Sequence, residues 1–464
     1  MNNSLLNAIK NQKAALQQDK DLKETISKAW MLAWPVVIEQ ALATLSQVAD
    51  MAMVGRLGAE AVAAVGLSMN PFNLLNALIM GISVGTTALV ARAVGSGDRE
   101  KAGQATGQSV VASFLIGIVL VFLAFVNSSK IMVYMGAESS VIPLGSSYLR
   151  AMMPGMLFLF IFSVCASALR GAGDTRTPMI VNAFLNIFHI AANYFLIFGG
   201  PGFSGLGVVG AGISSSLSRF LGAVCLVYFL SRSNKVLCVN WKNVTGNFDW
   251  LLFSKTMNIG IPAAFERVLV STGHIVYTRL VADLGTKAYA AHSLSINAES
   301  FSYMPGIGFA TAATAMVGQH LGAGDPKGAQ RSGTISLLMA MSIMGAMGLL
   351  FFSFPAAFLK IFTDDSDIIK MGIPLLRMVA FTQIPECIGM VIPGALRGAG
   401  DTKIAVYTTI FGMWIVRIGF TSYFLKYLNM GLIGAWIAMF LDWAVRSVLY
   451  IIRFRGGEWK NIKV

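Results

Sequence analysis

The chain has 464 residues, of which 55% are hydrophobic and only 12% charged, with a mean hydropathy of +0.67. A soluble domain carries about 25% charge, so this is read as an integral membrane protein. The formal net charge of +13 does not imply a nucleic-acid partner, because Lys and Arg are spread over short loops and tails rather than gathered in a patch.

Taken in chain order, segment 1–28 lacks the apolar core and small-residue cleavage site of a signal peptide. Leu5, Leu6, Ile9 and Leu16 fall loosely on one helical face among lysines. Two readings stand: a short interfacial helix on the cytoplasmic surface, or a solvated tail. Six spans follow, at 29–54, 61–93, 104–127, 141–170, 177–199 and 207–231. A linker at 232–250 leads to six more, at 251–282, 288–318, 332–359, 371–396, 403–425 and 431–453, and 454–464 is a second tail. Each run is near or above the roughly 20 residues a spanning helix needs. Those longer than about 25 must tilt or project. Four cysteines, Cys165, Cys225, Cys238 and Cys387, have neither disulfide nor metal-ligand spacing. No nucleophile–base or metal constellation suggests an enzyme.

The two halves are copies. ALRGAGDT occurs at 168–175 and again 227 positions later, at 395–402. The same offset carries Pro35 onto Pro262, Glu39 onto Glu266, Gly58 onto Gly285 and Gly97-Asp98 onto Gly324-Asp325 without a gap. With six spans each, both halves have the same orientation, and a pseudo-two-fold axis runs along the membrane normal. The fold class is therefore all-α: twelve transmembrane helices in two homologous six-helix bundles. About twenty Lys and Arg fall on one side and about six on the other, which puts both termini in the cytoplasm.

The repeated stretch then joins the fourth and fifth spans of each half. Arg170 and Arg397 suit a helix C-terminus facing the inner leaflet. Gly171, Gly173, Gly398 and Gly400 permit the turn, and Asp174 and Asp401 can cap the next helix. The glycine spacing lacks the P-loop form. The turns at 95–98 and 322–325 are read the same way.

These features together resemble the multidrug and toxic compound extrusion (MATE) family of secondary transporters. The resemblance rests on the duplication, on VADMAMVGRLG at 48–58, on the two LRGAGDT turns and on the GSGD and GAGD turns. It covers the chain from about residue 27 to 455. It implies two six-helix lobes about a large cavity, and export of diverse, often cationic, organic compounds against inward protons or sodium ions by alternating access.

Acids inside apolar spans cost about 2.5–3.5 kcal/mol each and need a reason. Glu266 and Glu386, near the middle of their spans, match by resemblance the acidic ion-binding positions of the second lobe. A carboxyl there can hold a proton and give it up to a cationic compound; the alternative is a neutral, hydrogen-bonded acid that fixes helix contacts. Asp50 matches the first-helix aspartate of the family, where protonation bends the helix and displaces substrate; the alternative is a solvated acid near the outer interface. Glu39 is the repeat image of Glu266. It stands eleven residues before Asp50 on the same helix face, as a second station or as a structural remnant of the duplication. In the fifth span some members carry Asn and Asp four apart, where this chain has His189 and Asn193. One carboxylate fewer counts against sodium in the first lobe, and His189 is either titrating or a packing residue. Glu299 is a further candidate. Asp442 stands four before Arg446, with Arg417 as another partner, and is read as structural.

The resulting expectation is a multidrug antiporter for organic cations in the cell membrane, of the bacterial inner-membrane type. It is read as monomeric, with no cofactor and no metal, with protons favoured over sodium as the coupling ion. A dedicated metabolite exporter of the same family, or a lipid-linked precursor flippase of a related fold, are the alternatives.

Overall fold

The computed structural model describes residues 2–200, 202–232, 237–241, 244, 248–462 and 464, with the backbone alone for 2–20. The first half contains α1 (Asn2–Gly55), α2 (Ala59–Gly95), α3 (Arg99–Val126), a short α4 (Ser128–Tyr134), α5 (Val141–Gly171), α6 (Arg176–Phe198) and α7 (Val208–Ser231). A two-residue hairpin, β1 (Gly199–Gly200) with β2 (Phe203–Ser204), joins α6 to α7. The second half contains α8 (Trp250–Ala282), α9 (Thr286–Gly322), α10 (Pro326–Ser353), a short α11 (Pro355–Lys360), α12 (Ser366–Ala399), α13 (Lys403–Lys426) and α14 (Gly431–Gly456). Among the described residues, each span read from the sequence falls mostly on one of these long helices, except that 332–359 runs past the end of α10 into α11. The chain is also helical from Asn2 onward, continuous with the first span. The face formed by Leu5, Leu6, Ile9 and Leu16 lies outside the described side chains.

Among the described residues, nine helices are long and apolar enough to cross a membrane by composition alone. The three long helices outside that set are α1, α8 and α9. They are the helices that carry Glu39 and Asp50, Glu266, and Glu299. Acidic residues inside a span lower its apolar signal.

The core shows how the lobes meet. At one end, each lobe has a core of its own. Val54, Tyr148, Met152 and Ile197 pack together in the first lobe, and Tyr277, Phe351, Leu376 and Trp436 in the second. At the other end the cores are exchanged. Ala29, Leu32 and Ala33 of α1 pack among second-lobe residues such as Phe309 and Met316, and Leu252 of α8 packs among first-lobe residues such as Leu89 and Leu169. The crossings are paired by the repeat. A Cβ on Gly81 of α2 would lie 2.6 Å from the Gly260 carbonyl of α8, and its image Gly308 of α9 would bring a Cβ to 2.8 Å from the Ala33 carbonyl of α1. The lobes thus close on each other at the end that carries the repeated turns.

The turns themselves hold as expected in the backbone, with Gly173 and Gly400 at φ of 93° and 86°, where a side chain would be strained. Asp174 accepts from the Thr177 amide at 2.9 Å and so caps α6. Asp401 differs: its carboxylate takes Arg453 Nε at 2.8 Å. The copies diverge here because Arg453, on the last helix of the second lobe, reaches back to the turn. In the second pair of turns Asp98 and Asp325 cap α3 and α10. The Gly328 amide holds the Asp325 carboxyl below the usual carboxylate range.

Candidate functional site

In the first lobe α1 and α6 run side by side with a matched polar ladder. Asn182 Nδ2 donates to Glu39 at 2.8 Å, and Asn186 donates to Asn182. Eleven residues further along both helices, His189 Nε2 lies 3.0 Å from both Asp50 oxygens and Asn193 Nδ2 donates to Asp50 at 2.8 Å. Ser214 of α7 lies 3.1 Å from His189 Nδ1 and holds the ring from behind. Positions 182, 186, 189 and 193 repeat at helical spacing, so one face of α6 carries the whole ladder. Asp50 is the most open of these acids, with its side chain 34% exposed, while His189 and Asn193 are buried. Asp50 thus meets the His189 and Asn193 pair of the fifth span. Arg219 was not singled out from the sequence. It stands over the Phe72 ring at 4.8 Å.

Glu39 and Glu266 are not open carboxylates. Arg170 Nη2 reaches both Glu39 oxygens at 2.7 Å, and Arg397 Nη2 reaches the Glu266 oxygens at 3.2 and 2.9 Å. The expectation that these arginines face the inner leaflet is corrected: both side chains fold back into their lobes. Burial of the acids explains this, since a buried charge needs an opposite charge at hydrogen-bonding distance. A resident guanidinium thus already occupies the place that an exported cation would take at Glu266. The signal was in the sequence: acid and base are 131 residues apart in both copies, and both copies kept both charges in an apolar chain. Glu266→Gln is expected to lower stability by about 3–5 kcal/mol by leaving Arg397 unpaired. Glu266→Gln/Arg397→Met should recover most of the loss, as read by thermal melting in detergent.

Glu299 of α9 and Glu386 of α12 are both buried, and their carboxyl groups lie beside each other. A carboxylate only accepts, so two adjacent carboxyl groups can bond to each other only with a proton between them. The second Glu386 oxygen, Oε2, has no hydrogen-bond partner. Beside the pair, Asp442 of α14 is held between Arg417 Nε at 2.7 Å and Arg446 Nη2 at 3.0 Å. Arg417 also lies over Tyr277 and Trp443. It sits in a stretch of α13, Ile410–Gly419, that is wound as a π-helix, a form common at functional sites. Gly412 in that stretch leaves room for the Asp442 and Arg446 side chains, into which a Cβ would run. None of Glu299, Glu386, Arg417 and Asp442 has an ionisable image in the first lobe, where Phe72, Leu159, Ile190 and Ser215 stand. In turn Asp50, His189 and Asn193 face Tyr277, Val416 and Phe420. Each lobe has built its own site on a common frame.

The duplicated, two-lobed helical fold is that of a membrane transporter built from parallel repeats. The MatE family profile matches residues 35–195 and 262–422, two segments that differ by the repeat offset. The chain belongs to the MATE family. It is 33% identical over 434 residues to a probable multidrug resistance protein NorM of Thermotoga maritima, covering 93% of this chain and 92% of that one. It is 28% identical over 451 residues to the uncharacterized transporter YisQ of Bacillus subtilis, covering 96% and 98%. Among solved structures, a multidrug resistance MATE transporter of the MOP superfamily in an outward-facing conformation superposes with a TM-score of 0.86 at 23% identity, covering 93% of this chain and 95% of that one.

Proposed function

We propose that this protein is a secondary active antiporter that exports organic cations from the cytoplasm in exchange for protons. Both termini lie in the cytoplasm, and the lobes open alternately to the two sides of the cell membrane. The observation that carries the reading is the buried Glu299–Glu386 pair, two adjacent carboxyl groups in an apolar bundle, which can hold a proton between them. Release of that proton leaves an anionic site that suits an organic cation, and return of the proton expels it. The name of the Thermotoga maritima relative, a probable multidrug resistance protein, supports export of drugs. The Asp50 site adds a second, more open carboxylate in the other lobe.

Pump-deficient cells expressing the protein should export ethidium faster than cells with an empty vector. Collapse of the pH gradient should stop the efflux, and collapse of the sodium gradient at fixed pH should not. Arrest by loss of the sodium gradient alone would reverse the assignment of the coupling ion. No efflux under any condition would favour a dedicated substrate.

A further inference from the structure

Arg92 and Gln319 occupy the same position in the two copies, 227 residues apart in the last turns of α2 and α9. Each donates a hydrogen bond into the other lobe. Arg92 Nη2 reaches the Ala399 carbonyl at 2.7 Å, and Gln319 Nε2 reaches the Gly171 carbonyl at 3.0 Å. Both acceptors lie in the repeated LRGAGDT stretch, where the ends of α12 and α5 leave carbonyls without a partner in the helix. The two donors are thus images of each other about the pseudo-two-fold axis, and their acceptors lie within one residue of being so.

The backbones touch at the same place. A Cβ on Gly95 would run into the Gln319 carbonyl, and a Cβ on its image Gly322 would run into the Arg92 carbonyl. No side chain fits between the helices there. Lys28 of α1 donates to Gln319 Oε1 at 3.0 Å and orients the amide so that its nitrogen faces the first lobe.

We propose that Arg92 and Gln319 are gating residues: two symmetry-related donors that latch this end of the cleft shut by bonding to the repeated turns of the opposite lobe. The duplicated glycine-rich turn is the acceptor half of the latch. The acceptor carbonyls stand one or two residues from Arg170 and Arg397, which hold Glu39 and Glu266. The latch and the paired acids therefore share the same two helix ends. A latch of two hydrogen bonds is strong enough to bias the closed state and weak enough to break in each cycle. This inference needs the two-lobed fold but neither the drug nor the coupling ion.

Spin labels at Lys101→Cys and Lys327→Cys test it. These exposed positions open α3 and α10, one in each lobe, just after the touching turns. The four native cysteines are replaced by serine, and the interlabel distance is measured by pulsed electron resonance in purified, lipid-reconstituted protein. The parent should give one dominant short distance. Arg92→Met/Gln319→Met keeps the bulk of both side chains and removes both donors. It should add a longer distance and lower the ratio of closed to open forms by roughly tenfold or more. Arg92→Gln gives position 92 the residue of its image and keeps a donor. It should resemble the parent, whereas Arg92→Met should show part of the double variant's opening. A double variant with the parent's distances would overturn the proposal, as would Arg92→Gln behaving like Arg92→Met. The readout uses no substrate, so a failure of the export reading leaves it intact.

Discussion

Glu386→Gln and Glu299→Gln are each expected to reduce proton-driven ethidium efflux to background while the protein remains folded. Glutamine matches glutamate in shape, and its amide can donate to the remaining carboxyl. The substituted pair therefore imitates the protonated state, and only the release of the proton is lost. Two measurements check this. Efflux in pump-deficient cells should fall to the empty-vector level at matched expression. Purified wild-type protein should release protons on addition of substrate, reported by a pH-sensitive dye, and each variant should release fewer. Continued export by either variant under a pH gradient would remove that residue from the coupling step. Asp50→Asn should act differently. It keeps the bonds to His189 and Asn193 by shape but removes the open carboxylate, so partial loss is expected.

The duplication, the spans and the acids were all legible in the sequence, because each is a local or periodic signal. The offset that carries Glu39 onto Glu266 also fixes the two-lobed frame, and the eleven-residue step from Glu39 to Asp50 recurs in the structure as the step from Asn182 to Asn193. Partnerships were less legible. Arg170 reads naturally as a turn residue, since helix-end cations are common, and only the structure shows its side chain turning inward to Glu39. Nothing local in the sequence marks Glu299. It stands beside Glu386 only through a helix that is distant in sequence. Asp442 and Arg446 were readable as an i,i+4 pair. The reach of Arg417 to the same carboxylate depends on how α13 is wound. The Arg92 and Gln319 bonds had no sequence signal at all, since the two residues differ in type and meet only when the lobes close.

Replacement of Asp442 by alanine should have the largest effect on stability. Its side chain is 0% exposed and lies between two guanidiniums, those of Arg417 and Arg446. Loss of the carboxylate leaves two buried cations without an anion, and breaking one such contact alone costs about 3–5 kcal/mol. Asp442→Ala should therefore give little folded protein, as judged by monodisperse yield and melting in detergent. A variant that melts within about a degree or two of the parent would show that the charges are relieved elsewhere. Asp442→Leu/Arg417→Met/Arg446→Met should recover the fold, because an apolar cluster of similar bulk often replaces a buried ion triad without loss. Export should not recover with it. The triad carries one net positive charge, which balances the one negative charge of the Glu299–Glu386 pair when the two share a proton. If the last proton leaves as a monovalent organic cation enters, the site stays balanced, and the membrane voltage does no work on that exchange. An apolar triad removes the balancing charge and should shift the pH dependence of whatever transport survives. Voltage could then contribute only through a second proton, at about 2.3 kcal/mol per charge across 100 mV, and the Asp50 site in the other lobe is where such a proton would bind.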